Sequence, residues 1–166
     1  MTEPIVVDNF LNDGDFNRLR ETLAPDNNLP WFQLRHNRES KELFNNQFTH
    51  MFYVPGEWVS DTREILVPAI NRIDPFLLIR VKANLLLHTA EPHCGGYHTD
   101  SMRDDIAWSG VLYLDTCNGP TDFKDGPKID AVANRFIKFP GYLEHMSWTA
   151  TDTSFRRVIN FNWIPK

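Results

Sequence analysis

One short stretch constrains the fold more than any other: Gly95-Gly96-Tyr97-His98-Thr99-Asp100. It sets an imidazole and a carboxylate two residues apart, and on a β-strand the side chains at i and i+2 leave the same face. Both can then bind one metal ion, provided that the chain returns to supply a third donor. The candidate is His145, forty-seven residues after His98, in the segment Phe139-Pro140-Gly141-Tyr142-Leu143-Glu144-His145. Bringing residues so distant in sequence onto one ion is a demand on the whole fold.

The pattern around this stretch answers that demand with strands. After Pro75 the runs Phe76–Ile79, Val81–Leu87, Val111–Leu114, Asp130–Val132, Phe136–Phe139 and Val158–Ile164 are short, β-branched or aromatic, and separated by Gly, Pro, Asn and Asp. That rhythm predicts an antiparallel sandwich or barrel. Ahead of it, Ile5-Val6-Val7 reads as a strand, and Leu11-Asn12-Asp13 offers N-cap residues to a helix over about 14–23 with Phe16, Leu19 and Leu23 buried. Trp31–Leu34 and Met51–Val54 are strand candidates. Ser60 or Asp61, with Glu64 near the capping-box position, predicts a second helix to about Asp74 whose apolar face is Ile65, Leu66, Ala69, Ile70 and Ile73. The expected class is mainly β with flanking helices. A single domain covers 1–166, with helical support over about 1–75 and a β core over about 76–164.

Composition excludes several classes of function. With 166 residues, 42% of them hydrophobic and 13% aromatic, the chain is the size and make-up of one ordinary globular domain. A net charge of -5 argues against a broad nucleic-acid footprint. No run approaches the roughly eighteen apolar residues of a membrane span, and Met1-Thr2-Glu3-Pro4 lacks the pattern of a secretory signal, so a cytoplasmic location is expected. Cys94 and Cys117 are read as free thiols, and without a Cys-x-x-Cys spacing a zinc site at Cys94 is disfavoured. His36 and His50 are left out of the metal site as lone histidines in a mixed segment.

Two imidazoles and one carboxylate are the donor set of the non-haem Fe(II) facial triad, which leaves positions open for a co-substrate and dioxygen. Ten residues separate His145 from Arg156, which opens the strand-like run Arg156-Arg157-Val158-Ile159-Asn160-Phe161-Asn162-Trp163-Ile164. Here the sequence resembles the 2-oxoglutarate/Fe(II)-dependent dioxygenases, and among them the prolyl-4-hydroxylase-like group. The resemblance covers about Arg80 to Ile164. Its other parts are Trp108-Ser109-Gly110-Val111-Leu112-Tyr113-Leu114-Asp115, Gly119-Pro120-Thr121-Asp122-Phe123 and Asn134-Arg135-Phe136-Ile137-Lys138-Phe139, in the family's order.

The resemblance implies a double-stranded β-helix, or jelly roll, with Fe(II) held by His98, Asp100 and His145. It implies that Arg156 pairs with the distal carboxylate of 2-oxoglutarate, a role that suits a planar guanidinium. Val158 departs from the family, where a Ser or Thr often stands. Tyr113 matches a tyrosine that reaches the co-substrate, or is a core tyrosine. Asn84 matches part of an Asn-x-Tyr pattern whose tyrosine is missing. Tyr97, Trp108, Trp148 and the loop Ser101–Asp105 border the substrate site or belong to the core. The implied activity uses O2 and 2-oxoglutarate to hydroxylate a C–H bond of a peptide, prolyl-type, or of a small molecule, and the carboxylate at Asp100 argues against halogenation. Two other readings remain: a cupin-like binding jelly roll without turnover, and nucleic-acid dealkylation, which would need a basic face.

Overall fold

The computed structural model of the protein describes residues 3–33, 47–100 and 106–166. Leu34 of the second strand candidate, His36 and the loop Ser101–Asp105 lie outside the described residues. Strands β1 (Ile5–Val7), β2 (Phe32–Gln33), β3 (Gln47–Val54), β4 (Glu57–Trp58), β5 (Leu77–Leu87), β6 (Trp108–Tyr113), β9 (Phe136–Pro140) and β11 (Phe155–Ile164) form one sheet of eight. Its order is β1-β9-β6-β11-β5-β3-β2, with β4 paired to β3. Strands β7 (Cys117–Phe123), β8 (Lys128–Ala131) and β10 (His145–Ser147) form a second sheet of three, ordered β10-β7-β8. Every pairing is antiparallel. This is the expected jelly roll, with helices α1 (Asp13–Thr22) and α2 (Val67–Ile73) beside it.

Alternation along the strands of the large sheet makes two cores. Val81 and Ala83 of β5, Leu112 of β6 and Ile159 and Phe161 of β11 face outward, where they pack with Phe16, Leu19 and Leu23 of the first helical region and Leu66 and Ala69 of the second. The intervening residues Val111, Tyr113, Ile137, Phe139 and Val158 face the small sheet and meet its Cys117, Phe123, Ile129 and Ala131. Helix α1 begins as expected, with the Asn12 side chain accepting from the Asp15 N–H at 3.0 Å.

Two expectations are corrected, and of the two alternatives for Trp108 the core one holds. The two runs 76–79 and 81–87 are one strand, because Arg80 occupies an inward position of β5 instead of a turn. The second helix does not start from a capping box: a 3-10 turn over Arg63–Leu66 precedes α2 with no side-chain cap. Ser60 is occupied elsewhere, its hydroxyl 2.8 Å from His50 Nε2. Trp108 lies on the outer face against Trp163, ring centroids 6.5 Å apart, and so does not border the space between the sheets. Both cysteines are free, Cys94 exposed and Cys117 buried. Among the described residues no helix is long and apolar enough to cross a membrane.

Candidate metal centre

The segment holding His98 and Asp100 is not a regular strand. Gly96 takes a φ of +81°, a conformation that favours glycine, and the chain then touches β10 in a single bridge, His98 opposite His145. The two residues exchange both backbone bonds, His98 N–H to His145 O at 3.0 Å and His145 N–H to His98 O at 2.9 Å. That one rung puts two imidazoles side by side, ring centroids 4.6 Å apart. Asp100 joins them, with Oδ2 at 3.8 Å from His145 Nε2. Donor atoms of all three residues lie within 4.8 Å of one another. The structure therefore brings together the three residues that the sequence singled out.

The ring tautomers suit ligation. His145 Nδ1 lies 3.0 Å from the Leu143 carbonyl and His98 Nδ1 3.3 Å from that of Gly96. A carbonyl only accepts, so each Nδ1 carries the proton and each Nε2 presents its lone pair. Burial, against the pull of Asp100, moves the His145 pKa below its usual value and favours the neutral ring. Burial pushes the Asp100 carboxyl up, but His145, Arg80 and His98, with a hydrogen bond from Ser109, hold it below the usual carboxylate range. Arg80 Nη2 donates to Asp100 Oδ1 at 3.1 Å and Asn162 Nδ2 to Oδ2 at 3.3 Å. Asn162 is itself oriented by Ser109 at 2.9 Å.

Arg156 leaves the inner face of β11 toward the small sheet and is 1% exposed. Its Nε donates to Gly119 O at 2.7 Å and its Nη2 to Thr121 Oγ1 at 3.2 Å. Its Nη1 is buried with no hydrogen-bond partner. Gly119 permits the approach, since a Cβ there would sit 2.8 Å from Trp148 O and 3.0 Å from Arg156 Cδ. Tyr113 donates to the same Thr121 hydroxyl at 2.7 Å and lies under the guanidinium, 5.5 Å from ring centroid to Cζ. Burial disfavours the Arg156 charge, and an isolated buried cation is costly unless an anion meets it. An unpartnered Nη1, with two N–H donors beside a tyrosine, could receive the end of a dicarboxylate, as the three donor atoms could hold a metal.

The inner-face register also places residues that the sequence reading passed over. Asn162, Asn160, Val158 and Arg156 of β11 stand opposite Arg80, Lys82, Asn84 and Leu86 of β5. Asn84 is on this face as its pattern implied, but its Oδ1 accepts from Gln47 Nε2 at 2.9 Å, across to β3. Lys82 is partly buried, and its side chain has neither hydrogen bond nor ion pair among the described residues. Burial first, then the Arg80 charge, bring its amine down to about 8, with Asp100 pulling the other way. The sequence signal that would have found Arg80, Lys82 and Asn162 is the alternation of polar residues through two otherwise apolar strands. His50, set aside earlier, is satisfied by Pro30 O and Ser60 Oγ, each at 2.8 Å. Trp148 donates to Asp122 at 3.3 Å and lies under the Lys128 ammonium, and Tyr97 is exposed.

No protein-family model matches this chain, and no curated protein matches it in sequence. Solved structures do match. An oxidoreductase of the 2OG-Fe(II) oxygenase family from Burkholderia pseudomallei superposes with a TM-score of 0.74 at 12% identity, over 96% of this chain and 84% of that one. The chain has the fold of the 2-oxoglutarate/Fe(II) oxygenases. A Trichoplax adhaerens prolyl hydroxylase in complex with a hypoxia inducible factor peptide fragment shares this oxygenase fold at a TM-score of 0.70 and 14% identity, over 97% of this chain and 83% of that one. A Pseudomonas putida prolyl-4-hydroxylase gives 0.64 and 16%, over 99% and 92%.

Proposed function

We propose that the chain is an Fe(II)- and 2-oxoglutarate-dependent oxygenase that hydroxylates a C–H bond of a peptide, prolyl-type, or of a small molecule. In this reading His98 Nε2, His145 Nε2 and an Asp100 oxygen hold the metal, and Arg156 receives the distal carboxylate of 2-oxoglutarate. Bound together, Fe(II) and 2-oxoglutarate supply the redox chemistry that turns O2 and a C–H bond into an alcohol, with succinate and CO2 as co-products. The protein's part is orientation and charge. Arg80 and Asn162 fix the Asp100 carboxylate, the Leu143 and Gly96 carbonyls fix the ring tautomers, and the aromatic walls Phe123 and Phe139 pack on His145 at 5.8 and 4.7 Å. Those rings cover the His145 side of the site, whereas His98 is exposed.

The observation that carries the reading is Arg156, a buried guanidinium held by two neutral acceptors, with its third arm free and no carboxylate bonded to it. A cupin-like binder without turnover has no use for such a cation on the inner face that the triad borders. The test is anaerobic addition of Fe(II) and then 2-oxoglutarate. A visible charge-transfer band, followed on admitting O2 by succinate formation, is expected; absence of the band at millimolar 2-oxoglutarate sinks the proposal.

A further inference from the structure

One row of the large sheet ends at the metal centre. Arg80 of β5 stands opposite Asn162 of β11, and Asn162 opposite Ser109 of β6. Their side chains are linked in the same order: Arg80 Nε donates to Asn162 Oδ1 at 2.9 Å, and Asn162 Nδ2 donates to Ser109 Oγ at 2.9 Å. Three strands thus fix a planar group that stays charged at any working pH. Its remaining contact is with Asp100, where Nη2 donates to Oδ1 at 3.1 Å. Oδ1 is not the oxygen turned to the imidazoles. Oδ2 is the one that lies 3.8 Å from His145 Nε2, with the Asn162 amide beside it at 3.3 Å. The two oxygens of this buried carboxylate are therefore divided, Oδ1 to a cation of the protein and Oδ2 toward His145. Chelation by both would set a metal ion beside the guanidinium at Oδ1, and two cations on one oxygen repel strongly where water is scarce.

Counting positions gives this division its consequence. An octahedral ion held by two imidazoles and one carboxylate oxygen keeps three positions open; a co-substrate chelating through two atoms leaves one, for O2. A carboxylate bound through both oxygens would take that last position. We infer that Arg80 is a positioning residue of the metal centre, which keeps Asp100 a one-oxygen ligand and so keeps open the position that O2 needs. The inference rests on the oxygenase reading. It differs in sign from a simple anchor for Asp100: losing an anchor weakens the metal, whereas releasing a reserved oxygen, and removing a competing cation, tightens it and displaces a bound water.

Mn(II) is the probe, an octahedral ion whose bound waters are counted by water-proton relaxation and whose free fraction is read by electron paramagnetic resonance. The wild type is expected to keep three exchangeable waters with Mn(II) alone and one when 2-oxoglutarate saturates it. Arg80→Met should show two and none, with a Kd for Mn(II) no higher than that of the wild type. Arg80→Lys, which keeps a cation beside Asp100, should return the count toward that of the wild type. Only two waters in the wild type without co-substrate, an unchanged count in Arg80→Met, or weaker Mn(II) binding by that variant would overturn the assignment. The wild-type count needs no variant, so it judges the ligand mode independently of how Arg80→Met folds. Failure of the oxygenase reading looks different: 2-oxoglutarate would then displace no water from the wild type, while the counts without it would still judge Arg80.

Discussion

Arg156 and Arg157 are neighbours on β11, yet the sheet sends one to each face and surrounds them differently. Arg157, on the outer side, is met in full: Nε and Nη2 donate to the two oxygens of Asp115 at 3.0 and 2.8 Å, and Nη1 reaches the carbonyls of Arg20 and Leu23 at the end of α1. Those carbonyls are acceptors that a helix end leaves over. Arg156, equally buried, has two neutral acceptors and an unused arm. The same residue type is a clamp between helix and sheet on one face and, in the proposed reading, a receptor on the other. Completeness of hydrogen bonding separates them better than burial does.

The comparison can be broken most forcibly at the inner face. Asp100→Ala removes one of three metal donors and strands Arg80, so Fe(II) uptake and the charge-transfer band should vanish while circular dichroism stays native. Retained stoichiometric iron would show that the triad is misassigned. At the outer face the cost falls on the fold instead. Arg157→Leu leaves the buried Asp115 carboxylate with only the half-exposed Arg20 at 3.8 Å and one backbone N–H, a loss that costs up to about 3–5 kcal/mol, to be read by urea unfolding, while 2-oxoglutarate affinity in the folded fraction stays within about threefold. If affinity collapsed and stability held, the register of β11 would be off by one.

Arg156→Leu should do the reverse. Loss of the charge-assisted contact weakens 2-oxoglutarate by roughly 2–5 kcal/mol, without lowering iron affinity and with little change in the urea midpoint. Calorimetry with the Zn(II) protein checks it. The smallest effect belongs to the periphery: Asn12→Ala removes the α1 cap and should cost about 1 kcal/mol, with no change in either ligand. A measurable loss of 2-oxoglutarate binding there would mean that the outer helix and the inner face are coupled, which their separate packing does not suggest.

These pairs also explain how much could be read from residues alone. His98, Asp100 and His145 were legible as a cluster because metal chemistry accepts few side chains, and β1, the second half of β3, α1 and most core strands because their apolar periods are clean. Arg80, Lys82, Asn162 and Thr121 were passed over: alternation can mark the first three as sharing a face, but what each does depends on which residue stands across the sheet, and strand register is not written in local spacing. The start of α2 was misplaced for a related reason: Ser60 is a good cap by type, but a tertiary partner, His50, holds its hydroxyl. The His98–Asp100 stretch deceived in the opposite direction. Its period-two spacing suggested a strand, whereas one bridge and a glycine turn bring the ligands together.

That bridge has a kinetic consequence. Because His98 and His145 share both bonds of one rung, their imidazoles separate only when two amide hydrogens come free together. Loss of a bound ion to a chelator should then keep pace with local opening of this rung, and hydrogen exchange at those two amides should slow sharply on metal loading while the rest of β10 changes little. The pair would act as a latch whose timing, more than its affinity, sets how long an ion resides.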